Sequence, residues 1–424
     1  MENEITMTGK TATIITPGFA ATKTTSRAII FTICFISTIF SGVVTMLMSA
    51  YLPVTVKDLL GNVSDEKMNE VSAYINSLFI FGWMFGGFLW GFICDKIGRS
   101  RSAILSTACY GLFTLITAAS STWMLASASR FFSGFGIGGV LVTTTILISE
   151  MWPEKKRAIA LGIVSIGIPV GFFAAGAINN LVASWRQAFM VGIVPVLLSI
   201  IAIFILPESI KWKEDKQSNK TKENFNKQLF DAPNKKNLLS GSIIFGAMLI
   251  GLWAIFSWAP TWAQNISSLE DAQKMRGLTI MIMASGGLAG SFSSGWIANA
   301  IGLRKTMMMC FAACFLFTFL LFKLNTSFST VTYAEMILLA FFFGISQGAL
   351  AVYIPQIFPT AIRASATGFC FNIGRLFTGV VVFFIGALVT MLGGYGNAIF
   401  IFSFVFVIGF VTTFISKEKL KTKN

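Results

Sequence analysis

Arg375 lies 12 residues beyond Arg363, inside the apolar stretch 364–392. At about 1.5 Å of rise per residue this places it about 18 Å along a helix, near the middle of a bilayer core about 30 Å thick. A charge at that depth is costly and is read first as functional, and a planar guanidinium fork matches a carboxylate. Asn372, three residues earlier, adds an amide beside it. The chemistry suggested is recognition of an anion. The structural alternative is an arginine that braces a neighbouring helix or bonds Asn372 and backbone carbonyls.

Two further charges need accounts. Arg130 stands 20 residues before Glu150, about 30 Å up the same helix, where snorkelling to the far interface or a counter-ion would stabilise it. Glu335 is the one acid inside an apolar stretch well away from the loops. Shifted by 206 residues, the spacing of an internal repeat, it corresponds to Ser129, beside Arg130. The expectation is that Arg130 and Glu335 face each other, with Glu335 as counter-ion or protonation site, or else as a solvated interface residue. The stretch 251–262 supplies aromatic faces: Trp253 and Phe256 are candidates to line a cavity, and Trp262 is read as an interfacial belt residue.

Bond-making chemistry is not indicated. The chain has no His, which removes the common catalytic triads. Its six Cys lie in or at the ends of apolar stretches, where a small apolar filler is the simpler reading than a ligand set or disulfide. No Gly-x-x-x-x-Gly-Lys-Ser/Thr loop is present, so direct use of ATP is not expected. No catalytic residue, metal or cofactor is assigned, and an enzyme is not expected.

The elements that must position these residues follow from composition. Of 424 residues, 55% are hydrophobic and 12% charged, with a mean hydropathy of +0.75, which places the chain in lipid. Apolar stretches long enough to cross a bilayer occur at 29–54, 71–93, 102–119, 123–149, 158–181, 188–206, 239–262, 278–300, 306–322, 331–358, 364–392 and 398–415. The expected fold is an all-α membrane protein of twelve transmembrane helices in two six-helix bundles. Two motifs repeat between the halves: Glu150-x-x-Pro153-x-x-x-Arg157 returns as Gln356-x-x-Pro359-x-x-x-Arg363, 206 residues on, and Gly91-x-x-x-Asp95-Lys96-x-Gly98-Arg99 returns around Asn299 and Gly302, 204 residues on. Duplicated halves of this kind enclose a central substrate site that opens alternately to either side.

Lys and Arg fall unevenly, 24 on the side of the termini against six on the other, so both termini are expected in the cytoplasm. The net charge of +14 is then topology, and no nucleic-acid partner is expected. The division expected is a cytoplasmic N-terminal segment 1–28, a bundle 29–207, a Lys- and Asn-rich cytoplasmic linker 208–237, a second bundle 238–416 and a tail 417–424. The segment 1–28 is polar, without a cleavage signal, and the loop composition suggests a bacterial inner membrane.

The Gly91, Asp95, Gly98, Arg99 loop resembles that of the major facilitator superfamily. Glu150-x-x-Pro153-x-x-x-Arg157 and Pro207-Glu208-Ser209 narrow the resemblance to the branch of sugar porters, organic-ion transporters and aromatic-acid or metabolite proton symporters. The resemblance implies a latch role for Asp95, Gly98 and Arg99, a cytoplasmic gate pairing Glu150 with Arg157, and second-half equivalents at Gln356 and Arg363. The fifth-helix Gln of sugar porters falls on Ser165, and the seventh helix lacks their Gln-rich run. Phe371 to Arg375 looks like the eleventh helix of aromatic-acid symporters. The resemblance therefore implies a secondary transporter of a small organic anion working by alternating access in the bilayer as a monomer, with Arg375, Asn372, Trp253, Phe256 and Ser165 at the substrate. Sugar or polyol transport, and drug or metabolite efflux, are the alternatives. The first-helix acidic pair of proton symporters is replaced by Ser41 and Val44, which leaves proton coupling and facilitation both open.

Overall fold

The computed structural model describes residues 17–209, 212–213, 231–267, 271–359 and 362–416. Most of the expected linker, the first 16 residues and the tail 417–424 therefore lie outside the described residues. The described residues form twelve long helices: α1 Pro17–Leu60, α2 Asp65–Ile97, α3 Arg99–Ala118, α4 Trp123–Met151, α5 Glu154–Leu181 and α6 Trp185–Ile205 in the first half. The second half holds α7 Ala232–Ile266, α8 Ala272–Ile301, α9 Leu303–Leu324, α10 Thr330–Gln356, α11 Arg363–Met391 and α12 Tyr395–Ile415. No strand occurs among the described residues.

Eleven of these helices are long and apolar enough to cross a membrane. The twelfth, α3, is richer in Ser and Thr, and three of its hydroxyls turn back on its own backbone. Thr114 donates to the Tyr110 carbonyl at 2.6 Å and Thr117 to that of Phe113 at 2.8 Å. Such internal bonds let hydroxyls sit in an apolar environment without an unsatisfied group. Proline recurs inside the helices at Pro53, Pro169, Pro260 and Pro355, and α6 passes through a 3₁₀ turn at Met190–Gly192.

Duplication is visible in the packing. A Cβ on Gly82 or Gly86 of α2 would collide with the carbonyls of Phe131 and Phe135 on α4. Gly286 and Gly290 of α8, 204 residues on, meet Ile337 and Phe341 of α10 in the same way. Small residues at these crossings let backbones touch, which supplies the van der Waals contact that holds helices together in lipid. In each half the second helix packs along the fourth, and the halves meet where α2 runs along α11 and α5 along α8. One end of the bundle carries the start of α1, the α2–α3 and α4–α5 junctions, the end of α6 and the start of α7, and is termed proximal. The opposite end is termed distal.

Candidate functional site

Arg375 sits midway along α11, where α11 meets α2 and α7. Its Nη1 donates to Asn372 Oδ1 at 3.3 Å, and Asn372 Nδ2 donates to the Gly368 carbonyl at 3.0 Å. The guanidinium carbon lies 5.4 Å from the Trp83 ring centroid on α2 and 5.8 Å from that of Phe245 on α7. Asn372 Oδ1 rests against Gly87 of α2, so close that no Cβ fits there. Arg375 forms no ion pair among the described residues. A partly exposed guanidinium with one weak amide contact and two aromatic faces can accept a carboxylate bidentately.

The aromatic residues continue from this point. Trp83 meets Trp253 edge to face at 5.9 Å, and Phe79 lies 6.0 Å from Trp83. Phe371 stacks on Phe245 at 4.3 Å. Phe256 stands between Phe172 of α5, at 6.2 Å, and Phe343 of α10, at 5.8 Å, so it bridges the halves. Ser165 is exposed and donates to the Leu161 carbonyl at 2.9 Å. It shares a face of α5 with Phe172 and Gly176, which meet the second half, but no described contact joins it to Arg375. Trp262 is not a belt residue: it is buried against Phe322 at 4.6 Å.

Arg130 and Glu335 are not brought together as an ion pair. Arg130 is 1% exposed and donates from Nη1 to the Val44 carbonyl at 2.9 Å, with its guanidinium carbon 4.0 Å over the Phe79 ring. Its Nε has no partner. Snorkelling is excluded by that burial, since a carbonyl and a ring face take the place of water. Glu335 instead accepts from Asn325 Nδ2 at 2.6 Å near the distal end of α10.

The proximal motif is centred on Arg99. Its Nη1 meets Asp95 Oδ1 at 2.7 Å and its Nε meets Glu150 Oε1 at 3.0 Å. Glu150 also accepts from the Ser209 hydroxyl. The expected pairing of Glu150 with Arg157 is absent among the described residues, and Arg157 Nε is buried without a partner. Arg99, closer along the α2–α3 turn, takes the carboxylate instead. Glu208 Oε1 accepts the backbone N–H groups of Arg99, Ser100 and Ser209 at 2.8, 3.0 and 2.9 Å. Gly98 turns the chain there at φ +114°, with the Glu208 carboxylate where its Cβ would be. Gly91 meets nothing within 4 Å at its Cβ position. In the second half, Arg304 donates to the carbonyls of Thr413 and Phe414 at the end of α12, and Arg363 to that of Phe358 at 3.4 Å. Gln356 stands at the end of α10.

Hydrogen bonds between the halves gather towards the distal end. Arg276 of α8 is 3% exposed; its Nε donates to the Ala50 carbonyl of α1 at 2.7 Å and its Nη1 to Gln264 Oε1 of α7 at 2.5 Å. Asn179 donates to the Gln273 carbonyl at 2.7 Å, and Gln273 Nε2 returns bonds to the carbonyls of Asn179 and Val182 at 2.5 and 2.8 Å. Tyr395 donates to Asn69 Oδ1 at 2.5 Å, and Ser77 to the Gly379 carbonyl at 2.7 Å.

Residues 33–381 match the Major Facilitator Superfamily. The chain belongs to that superfamily. It is 26% identical over 357 residues to the cis,cis-muconate transport protein of Acinetobacter baylyi, covering 81% of this chain and 85% of that one. It is 24% identical over 399 residues to the 4-hydroxybenzoate transporter PcaK of Pseudomonas aeruginosa, covering 85% of each. Its fold matches the inward open xylose transporter XylE from E. coli with a TM-score of 0.77 at 16% identity, over 92% of this chain and 97% of that one. Membership makes this chain a multi-pass membrane transporter and not an enzyme.

Three residues around the central arginine and the distal closure of this facilitator-superfamily transporter escape a reading of the sequence: Trp83, Phe245 and Arg276. Trp83 carries one signal, its place in the Gly-rich run from Gly82 to Gly87 where α2 approaches its neighbours. Phe245 is one phenylalanine among 43 and carries none. Arg276 reads as a loop charge, because it stands only two residues beyond Lys274.

Proposed function

We propose that the protein carries a small organic anion, an aromatic acid or related carboxylate, which binds to Arg375 with its apolar body between Trp83, Trp253 and Phe245. The observation that carries this reading is a mid-helix guanidinium with no carboxylate partner among the described residues, flanked by ring faces and one amide. The printed functions of the muconate and 4-hydroxybenzoate relatives support the same substrate class. Transport proceeds by alternating access: the bundles rock about the central site, and the described closure is the distal one, held by Arg276, Gln273 and Tyr395. Asp95, Arg99, Glu150 and Glu208 tie together the proximal end of the first half, with Arg157, Gln356 and Arg363 nearby as parts of the opposing gate. The excess of Lys and Arg on the proximal side supports cytoplasmic termini, and the same reading takes the protein as a monomer of a bacterial inner membrane.

The test is ligand-dependent thermal stabilisation of the purified protein with benzoate, 4-hydroxybenzoate, muconate, xylose and organic cations. A ligand that binds the folded state alone raises the melting temperature. Carboxylates are expected to stabilise, and Arg375→Ala to weaken their binding by roughly 10- to 100-fold, the loss of charge-assisted hydrogen bonds. Stabilisation by xylose or a cation that survives Arg375→Ala would remove the anion reading.

A further inference from the structure

The anion reading leaves one question open, namely what the empty carrier does with its central charge. Arg375 faces α2, α7 and its own helix, and residues 75–93 and 237–266 contain no titratable side chain. On α11, residues 364–391 offer only Cys370, whose thiol donates to the Leu238 carbonyl at 3.6 Å. The fully buried guanidinium of Arg130 leans on the Val44 carbonyl, and residues 28–56 of α1 beside it contain only Cys34 and Tyr51 as titratable groups. Tyr51 is engaged with the Val182 carbonyl at 2.6 Å. The remaining membrane acid, Glu335, is held by Asn325 near the distal end of α10. With no His in the chain, no carboxylate or imidazole at the depth of Arg375 can take or release a proton to balance it.

We propose that the protein is an obligate anion exchanger: one monocarboxylate crosses inward only as another crosses outward, without a proton. To reorient, the carrier must pass through a state closed at both ends. Loaded, Arg375 and the bound carboxylate form a neutral pair there. Empty, the closing walls must strip water from a lone guanidinium, and the faces of Trp83 and Phe245 return less than that desolvation costs. The loaded carrier therefore reorients and the empty one stalls. One negative charge moves each way per cycle, so exchange is electroneutral. The proposal rests on the anion reading of Arg375.

The experiment uses the full chain in proteoliposomes at pH 7.5, with the rate of protein-free vesicles subtracted. Initial uptake of labelled 4-hydroxybenzoate is compared between vesicles loaded with unlabelled 4-hydroxybenzoate and vesicles loaded with buffer, each with and without an acid-outside gradient. Internal 4-hydroxybenzoate should accelerate uptake at least about tenfold, corresponding to about 1.4 kcal/mol between the two reorientation barriers, and the gradient should change it less than about twofold. Arg375→Lys, which keeps the charge, should keep the acceleration ratio at reduced affinity. Uptake driven by the gradient and indifferent to internal anion overturns exchange while leaving the anion reading intact. No protein-dependent uptake and no thermal stabilisation by the same compound overturns both.

Discussion

Arg375 is oriented by a short chain of contacts that begins on another helix. Gly87 of α2 leaves room for Asn372 Oδ1, and that oxygen accepts from Arg375 Nη1. Gly87→Ala should therefore push Asn372 aside and release the guanidinium, weakening carboxylate binding by about tenfold, the worth of roughly one hydrogen bond. Gly162→Ala, where a Cβ meets open space, should leave binding unchanged; equal binding in both variants would show that Arg375 needs no positioning by Asn372. Arg375, Asn372 and Trp253 were legible in the sequence because a charge, an amide or an indole stands out in an apolar helix. Trp83 and Phe245 were not, because which rings meet the guanidinium depends on the depth register between α2, α7 and α11. The expected facing of Arg130 and Glu335 came from the repeat offset, which equates positions without saying what they face. Each found a partner within its own half, at the Val44 carbonyl of α1 and at Asn325.

Among the elements, the start of α3 shows how a motif can be legible in kind and not in pairing. Asp95, Gly98, Arg99 and Glu150 come together, with Arg99 taking both carboxylates and Arg157 neither. Glu208 serves as an N-terminal cap delivered from beyond α6, accepting two of the orphan N–H groups of α3. A cap from 108 residues away leaves no local capping pattern to read. Glu208→Ala should destabilise the protein by about 1–2 kcal/mol, seen as a fall of a few degrees in the detergent melting temperature, and Glu208→Gln by less. An unchanged melting temperature in both would mean that water caps α3 equally well. The second half has Asn299 and Gln356 where the first has Asp95 and Glu150, and its Arg304 turns to the carbonyls ending α12. The twelve helices themselves were legible from apolar length; α3 is the least apolar because it holds six Ser and Thr and begins on Arg99 and Arg101.

For the whole molecule, the proposed alternation depends on how firmly the distal end is shut. The Gly176 and Gly277 backbones touch there, and that contact stabilises closure through packing alone. Arg276 adds something different, a buried guanidinium whose bond to the Ala50 carbonyl crosses to the first half and exists only while the halves are closed there, beside a bond to Gln264 that stays within the second half. In the proximally closed state Arg276 Nε would have water, so the net advantage of the Ala50 bond is that of a charge-assisted hydrogen bond over its hydrated form, roughly 1.5–3 kcal/mol. Arg276→Ala should then shift the balance towards the distally open form by at least about tenfold. Paired spin labels on the α1–α2 and α7–α8 loops should report longer distal distances in that variant, with proximal distances between α4–α5 and α10–α11 shortening together. Distal distances that lengthen alone would mean local fraying of the closure, and the rocking of two rigid bundles would have to be given up. Distances that do not move would place closure with the glycine contact, in which case Gly277→Leu should open the distal end where Arg276→Ala did not.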